Sequence, residues 1–189
     1  MIKKILIANR GEIACRVIRT ARKLGYRTVA VYSEADANAP HVDLADEAVC
    51  VGAAPAAESY LRGERLIELA KQTGANAIHP GYGFLSENAG FAQACADADV
   101  IFIGPPPQAI KVMGDKAGAK ARMIEAKVPT APGYLGEDQS EERLMAEAER
   151  LGYPLLVKAV SGGGGRGMRL VHQRSELAQA IVSARREAQ

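Results

Sequence analysis

Residues 155–171 read LLVKAVSGGGGRGMRLV: two short apolar runs on either side of Gly162, Gly163, Gly164 and Gly165, with Ser161 before the glycines and Arg166 after them. Glycine has no Cβ, so it takes positive φ readily and lets main-chain N–H groups approach an anion closely, at the highest ordering entropy of any residue. Such a loop is expected to be poorly ordered when empty. Gly162, Gly164 and Gly167 satisfy G-x-G-x-x-G, but the dinucleotide fingerprint needs a helix to start at the glycines, with its N-terminus on the pyrophosphate. Met168-Arg169-Leu170-Val171 reads as a strand instead. The Walker A pattern fails as well, because no Lys-Ser or Lys-Thr follows the last glycine. What remains is strand, glycine loop, strand, the arrangement by which protein kinases cover ATP phosphates. Lys158, at the end of the first strand, adds a point positive charge within reach of the same phosphates. A plain hairpin tip is the alternative, and four glycines with a lysine and an arginine make an odd one.

Upstream of this stretch the pattern is different. Residues 5–8 form a buried-type strand, and Asn9-Arg10-Gly11-Glu12 hands it to a helix whose apolar positions Ile13, Val17, Ala21 and Leu24 recur at helical spacing before Gly25. Strands follow at 28–32, 48–51, 75–78 and 100–103. Between them lie a polar loop over 33–41, a short element near 42–45, a helix over 61–71 with Leu66, Leu69 and Ala70 on one side, and a helix over 87–98. Gly104-Pro105-Pro106-Pro107 stops the last strand. Strands alternating with helices predict a parallel, doubly wound sheet, whose ligands bind outside the carboxyl ends of the strands.

Two loops leave those ends. One is Asn9-Arg10-Gly11-Glu12; the other is His79-Pro80-Gly81-Tyr82-Gly83-Phe84-Leu85-Ser86-Glu87-Asn88. In the second, Gly81 and Gly83 bracket Tyr82 and free the backbone to turn its ring outward. Ser86 is expected to cap the next helix, with Glu87 in the first turn near the positive dipole end. The other account is that Ser86 and Glu87 only cap and Tyr82 only packs.

From residue 108 the period is helical again, and Met113-Gly114-Asp115-Lys116 ends one helix and starts another that runs to about residue 126. Val128-Pro129-Thr130-Ala131-Pro132-Gly133 is a proline-bounded connector. Ser140 opens an amphipathic helix to 151. Ser175 is expected to cap a last helix with Leu177, Ala178, Ile181 and Val182 inward. These signals divide the chain into a sheet domain over 1–114, a helical linker over 115–132 and a hairpin-and-helix domain over 133–189.

Composition narrows the function. With 48% hydrophobic and 24% charged residues, the 189-residue chain reads as an ordinary soluble globular protein. A net charge of +2 from 24 basic and 22 acidic residues, without a run of like charge, gives no track for nucleic acid. Cys15, Cys50 and Cys95 are widely spaced and match neither a disulfide framework nor a metal-ligand pattern, which favours the reducing cytoplasm. The apolar start, Ile5-Leu6-Ile7-Ala8, is too short for a signal peptide or membrane span, so no membrane role is expected.

Taken in order, Ile7-Ala8-Asn9-Arg10-Gly11-Glu12-Ile13, Ala45-Asp46-Glu47, the ten residues 79–88, Met113-Gly114-Asp115-Lys116 and residues 162–168 resemble the biotin carboxylase component of biotin-dependent acyl-CoA carboxylases, a family of the ATP-grasp superfamily. The resemblance covers the whole chain, and the H-P-G-Y-G-F-L-S-E-N string is its most specific part. It implies a Rossmann-like parallel sheet, the N-terminal domain that precedes an ATP-grasp fold, followed by a partial α+β ATP-grasp lid domain. The implied reaction is ATP-dependent carboxylation of biotin by bicarbonate, through carboxyphosphate, on a carrier domain.

By resemblance Lys116 and Lys158 contact the nucleotide, and Gly163, Gly164, Gly165 and Gly167 belong to the lid over its phosphates. Tyr82 and Gly83 lie at the biotin and bicarbonate end, with Glu87 as support. Phosphoryl transfer asks mainly for positioning and positive charge, which lysines, main-chain N–H groups and Mg²⁺ supply. The family's Mg²⁺ ligands lie in a further lobe, so these residues are expected to form an N-terminal portion that is inactive alone. The implied partners are a biotin carboxyl carrier domain, a carboxyltransferase subunit and a second copy of the chain in a homodimer. Another ATP-grasp ligase acting on an amino acid or carbamate and a non-catalytic nucleotide-binding or assembly module are the alternatives, with a dehydrogenase more distant.

Overall fold

The computed structural model describes residues 1–114, 116–158 and 168–188, with the side chains at 116, 117, 187 and 188 left aside. The chain divides into two compact units, Met1–Gly114 and Asp115–Gln189.

The first unit is an α/β layer structure. It runs β1 (Lys4–Ile7), α1 (Gly11–Lys23), β2 (Arg27–Ser33), α2 (Pro40–Leu44), β3 (Glu47–Gly52), α3 (Gly63–Thr73), β4 (Ala77–His79), α4 (Ala89–Asp97), β5 (Ile101–Phe102) and α5 (Pro107–Gly114). All five strands are parallel, in the order β3-β2-β1-β4-β5. A parallel strand is covered on both faces, which is why β1 is an unbroken apolar run after Lys4 and all four of its residues are buried. Leu6 pairs with both Val29 and Ile78, and Ile7 with both Ala30 and His79. The chain adds β2 and β3 on one side of β1, then β4 and β5 on the other. The boundary between β1 and β4 is therefore the point where strand order reverses, and β1 and β4 end level there.

Helix α1 buries Ala14, Cys15, Ile18 and Ala21, while Ile13 and Val17 are half-buried and Leu24 is 67% exposed. The expected stripe is thus offset by one position. Two overlapping helical registers share Ala21, and the one that packs on the sheet is that of Ala14 and Ile18. Leu24 is lost to the core because the helix has ended: Gly25 N–H bonds to Arg22 O and Tyr26 N–H to Ala21 O, the paired bonds of a Schellman turn. The expected polar loop over 33–41 holds a short 3₁₀ turn, Glu34–Asp36, and the start of α2, whose first residue is Pro40.

The second unit comprises α6 (Lys116–Glu125), α7 (Glu141–Leu151), β6 (Leu155–Lys158), β7 (Met168–Val171) and α8 (Arg174–Ala188). Ser140 caps α7, its Oγ accepting from Arg143 N–H at 3.2 Å. The two strands are antiparallel, with Leu155 opposite Val171, Leu156 opposite Leu170 and Lys158 opposite Met168. Ala148, Val171, Leu177, Ala180 and Ile181 form the core of this unit. Val182 is 43% exposed and Ala178 half-buried, so Ala180 and Ala184 take the inward places expected of them. Ser175 does not cap α8, which already starts at Arg174; the Glu176 carboxylate instead accepts from His172 N–H at 2.9 Å.

Among the described residues no helix is long and apolar enough to cross a membrane. Cys15 and Cys95 are buried and Cys50 is exposed, all as free thiols.

Candidate functional site

The two loops at the switch point are joined by one buried side chain. Asn9 follows β1 and is fully enclosed; its Nδ2 donates to Pro80 O at 2.8 Å and to Tyr82 O at 2.9 Å, and its Oδ1 accepts from Arg10 N–H at 3.0 Å. A residue that satisfies three main-chain groups at once fixes the 79–84 loop on the end of β1. Gly81, at φ +65°, is the point of closest approach. A Cβ there would lie 2.6 Å from Asn9 Nδ2 and 2.8 Å from Ile13 Cγ2. The Gly81 N–H donates to His79 Nδ1 at 3.0 Å, and burial pushes the His79 pKa below its usual value.

The preceding turn is held from the opposite side. His41 on α2 is fully buried; its Nδ1 accepts from Gly11 N–H at 3.3 Å and its Nε2 faces Val31 O at 3.1 Å. That pattern defines the neutral tautomer with the proton on Nε2. Arg10 reaches Asp36, with Nη1 3.2 Å from Oδ2. Burial acts to raise the Asp36 pKa, but hydrogen bonds from Tyr60, Arg10 and Ser33 outweigh it and hold the carboxyl below the usual range.

These loops enclose an open pocket of about 560 Å³ lined by Asn9, Arg10, Gly11, Glu12, Ile13, Tyr82, Gly83 and Phe84. Tyr82 stands 57% exposed at its edge and donates through its hydroxyl to Glu12 Oε2 at 3.2 Å. Its pKa is raised, first by partial desolvation and then by the Glu12 hydrogen bond and charge. The pocket presents a cation, a carboxylate and a phenol. It suits a small polar group that both donates and accepts.

Tyr82 and Gly83 therefore come together with Arg10 and Glu12, which sequence reasoning noticed as a loop without choosing as site residues. Glu87 does not line this pocket; it is exposed and has no partner among the described residues. The expected cap is also corrected. Ser86 N–H bonds to Gly83 O and Asn88 N–H to Leu85 O, so two turns precede the helix, and Asn88 is its cap, accepting from Phe91 N–H at 2.8 Å. Glu87 thus lies before the helix rather than in its first turn. Asp36, Tyr60 and His41 carried no sequence signal.

The second unit presents a different surface. Strand alternation turns Leu155, Val157 and Val171 toward the helices and leaves Leu156, Lys158, Met168 and Leu170 on the other face. There Leu156 is 44%, Met168 40% and Leu170 57% exposed, next to an exposed Lys158. A flat apolar patch ending in a lysine offers a planar ring a surface and an anion a charge. Lys116 is the first residue of α6, and its side chain lies outside the described residues, as do Gly163, Gly164, Gly165 and Gly167. Among the described residues no group of three or more His, Cys, Asp or Glu is placed to hold a metal ion.

An open parallel sheet with its pocket at the switch point defines the class of α/β proteins that keep their ligand site outside the carboxyl ends of the strands. Within that class, residues 1–110 match the family model "Biotin carboxylase, N-terminal domain", and residues 115–189 match "Carbamoyl-phosphate synthase L chain, ATP binding domain". The chain belongs to the biotin carboxylase family.

It is 60% identical over 187 residues to the mitochondrial methylcrotonoyl-CoA carboxylase subunit alpha of Dictyostelium discoideum, a match that covers 99% of this chain and 27% of that protein. The biotin carboxylase of Campylobacter jejuni, solved as a β-γ-ATP complex, superposes with a TM-score of 0.94 at 47% identity, covering 100% of this chain and 42% of that one. The biotin carboxylase domain dimer of Hydrogenobacter thermophilus 2-oxoglutarate carboxylase, solved with MgADP, ADP and bicarbonate, gives 0.91 at 49% identity, covering 100% and 41%. The chain spans about a quarter of the length of the curated relative.

Proposed function

We propose that these residues form the sheet domain and part of the nucleotide lid of a biotin carboxylase, which uses ATP and bicarbonate to carboxylate biotin on a carrier domain within an acyl-CoA carboxylase. The observation that carries the reading is the exposed hairpin face, where Lys158 ends an apolar patch of Leu156, Met168 and Leu170. A purine gains from burying both faces of its ring on apolar side chains, and phosphates gain from a cation. The ATP-binding family match over residues 115–189 and the nucleotide complexes of two solved relatives support it.

In this reading Lys158 and Lys116 bear on the nucleotide, and Gly163, Gly164, Gly165 and Gly167 cover its phosphates with main-chain N–H groups. Tyr82, with Gly83, takes the biotin and bicarbonate end. There Arg10 and Glu12 supply a donor and an acceptor for the urea-like and carboxylate-like groups of those substrates. Glu87 has a supporting role as an exposed carboxylate.

The partners proposed are the biotin carboxyl carrier domain, the carboxyltransferase subunit and a second copy of the chain, the last supported by a relative solved as a domain dimer. Three free thiols suit a reducing compartment, the cytoplasm.

Titration with Mg-ATP, followed by amide resonances, tests the nucleotide reading. The signals of Leu156, Met168 and Leu170 are expected to shift together, and Lys158→Ala is expected to weaken the titration by about tenfold or more, the scale of a hydrogen bond to a charged group. Shifts confined to the first unit would contradict it.

A further inference from the structure

One buried ring touches both walls of the pocket, although it lines neither. Tyr60, 1% exposed, stacks on Phe84 with ring centroids 5.1 Å apart and planes 12° from parallel. The Arg10 guanidinium lies over the same ring, 5.7 Å from its centroid. The hydroxyl donates to Asp36 Oδ2 at 2.6 Å and accepts from Ser33 N–H at 2.8 Å. Asp36 Oδ2 also takes Ser33 Oγ at 3.1 Å and Arg10 Nη1 at 3.2 Å, so Tyr60 and Arg10 share one acceptor.

Phe84 has φ +41°, a backbone region that a bulky L-residue enters only when its surroundings over-determine it. The Tyr60 stack supplies part of that surrounding, beside the Asn9 hydrogen bonds to Pro80 O and Tyr82 O. Gly83 and Tyr82 immediately precede Phe84, and Gly11 and Glu12 immediately follow Arg10. Each end of the Tyr82–Glu12 hydrogen bond is therefore two residues from a group that Tyr60 holds.

We infer that Tyr60 is a positioning residue for the pocket: its ring sets the Phe84 wall, its hydroxyl sets the Arg10 wall through Asp36, and together they fix the distance between Tyr82 and Glu12. The ligand's identity rests on the proposed function; the positioning does not.

The test uses the labelled 189-residue chain. In Tyr60→Phe the ring stays and the hydroxyl goes. The Arg10 Nε–H and the Glu12 and Tyr82 amides should then move, while Phe84 ring protons keep their stacked shift. In Tyr60→Leu the Phe84 ring shift should also be lost, with Leu66 and Cys95 amides unmoved as the sign of an intact core. Arg10, Glu12 and Tyr82 resonances unchanged in Tyr60→Phe would overturn the inference, whether or not Tyr60→Leu folds.

In the whole translation product that carries these residues, Tyr60→Phe should raise KM for free biotin about fivefold, the effect of one ordinary hydrogen bond, with KM for ATP unchanged. Equal rises in both constants would reduce Tyr60 to a stabilising core residue and overturn the inference. Absence of biotin-dependent turnover in the unmutated product would count against the proposed function instead, with the Arg10 and Phe84 resonances still deciding on Tyr60.

Discussion

At the scale of single residues the pocket depends on close approach rather than on strong pairs. Gly81 leaves no room for a Cβ between Asn9 and Ile13 and sits at φ +65°. Gly81→Ala should therefore destabilise the chain by about 1–3 kcal/mol, the cost of overpacking together with a left-handed backbone, measured by urea unfolding. His79 supplies a pH signature. Burial lowers its folded pKa below the unfolded value of about 6.5. The unfolded chain then binds more protons between those two values, so stability is full above about pH 6.5 and falls as pH drops toward the folded pKa. His79→Asn keeps an acceptor for Gly81 N–H and should abolish that part of the pH dependence. An unchanged thermal-melt profile between about pH 7.5 and 5.5, the range in which histidine titrates, would contradict the assignment.

At the scale of elements the periodicities were legible and their registers were not. β1 could be read as a buried parallel strand because it is apolar on both faces. The stripe of α1 could not be fixed, because Ile13-Val17-Ala21 and Ala14-Ile18-Ala21 both satisfy helical spacing and only packing on the sheet separates them. The sequence pointed to Ser86 as the cap of α4, but turns closed by the Gly83 and Leu85 carbonyls carry the chain past it and put the cap at Asn88. Asn88→Ala should thus cost about 1 kcal/mol of stability and Ser86→Ala less than half of that. Chemical denaturation of both variants checks the pair; equal losses would restore Ser86 as the cap. The site was legible where local chemistry marks it, in the Gly-Tyr-Gly run and the Asn-Arg-Gly-Glu turn. Asp36, His41 and Tyr60 were invisible, since their roles arise from contacts made across more than twenty residues of chain.

At the scale of the whole molecule, the first unit carries a polar pocket at its switch point and the second an apolar face ending in a lysine, which the proposed function reads as a nucleotide surface. Lys158→Ala should then raise KM for ATP by about tenfold to a hundredfold in the whole translation product, while KM for free biotin changes little, since the lost group is one charged contact to phosphate. The most direct measurement of the central claim is phosphate release from Mg-ATP by that product, with and without bicarbonate and free biotin. Release is expected to require bicarbonate and to quicken with biotin. ATP hydrolysis indifferent to both, or none at all under conditions where nucleotide binds, would contradict it.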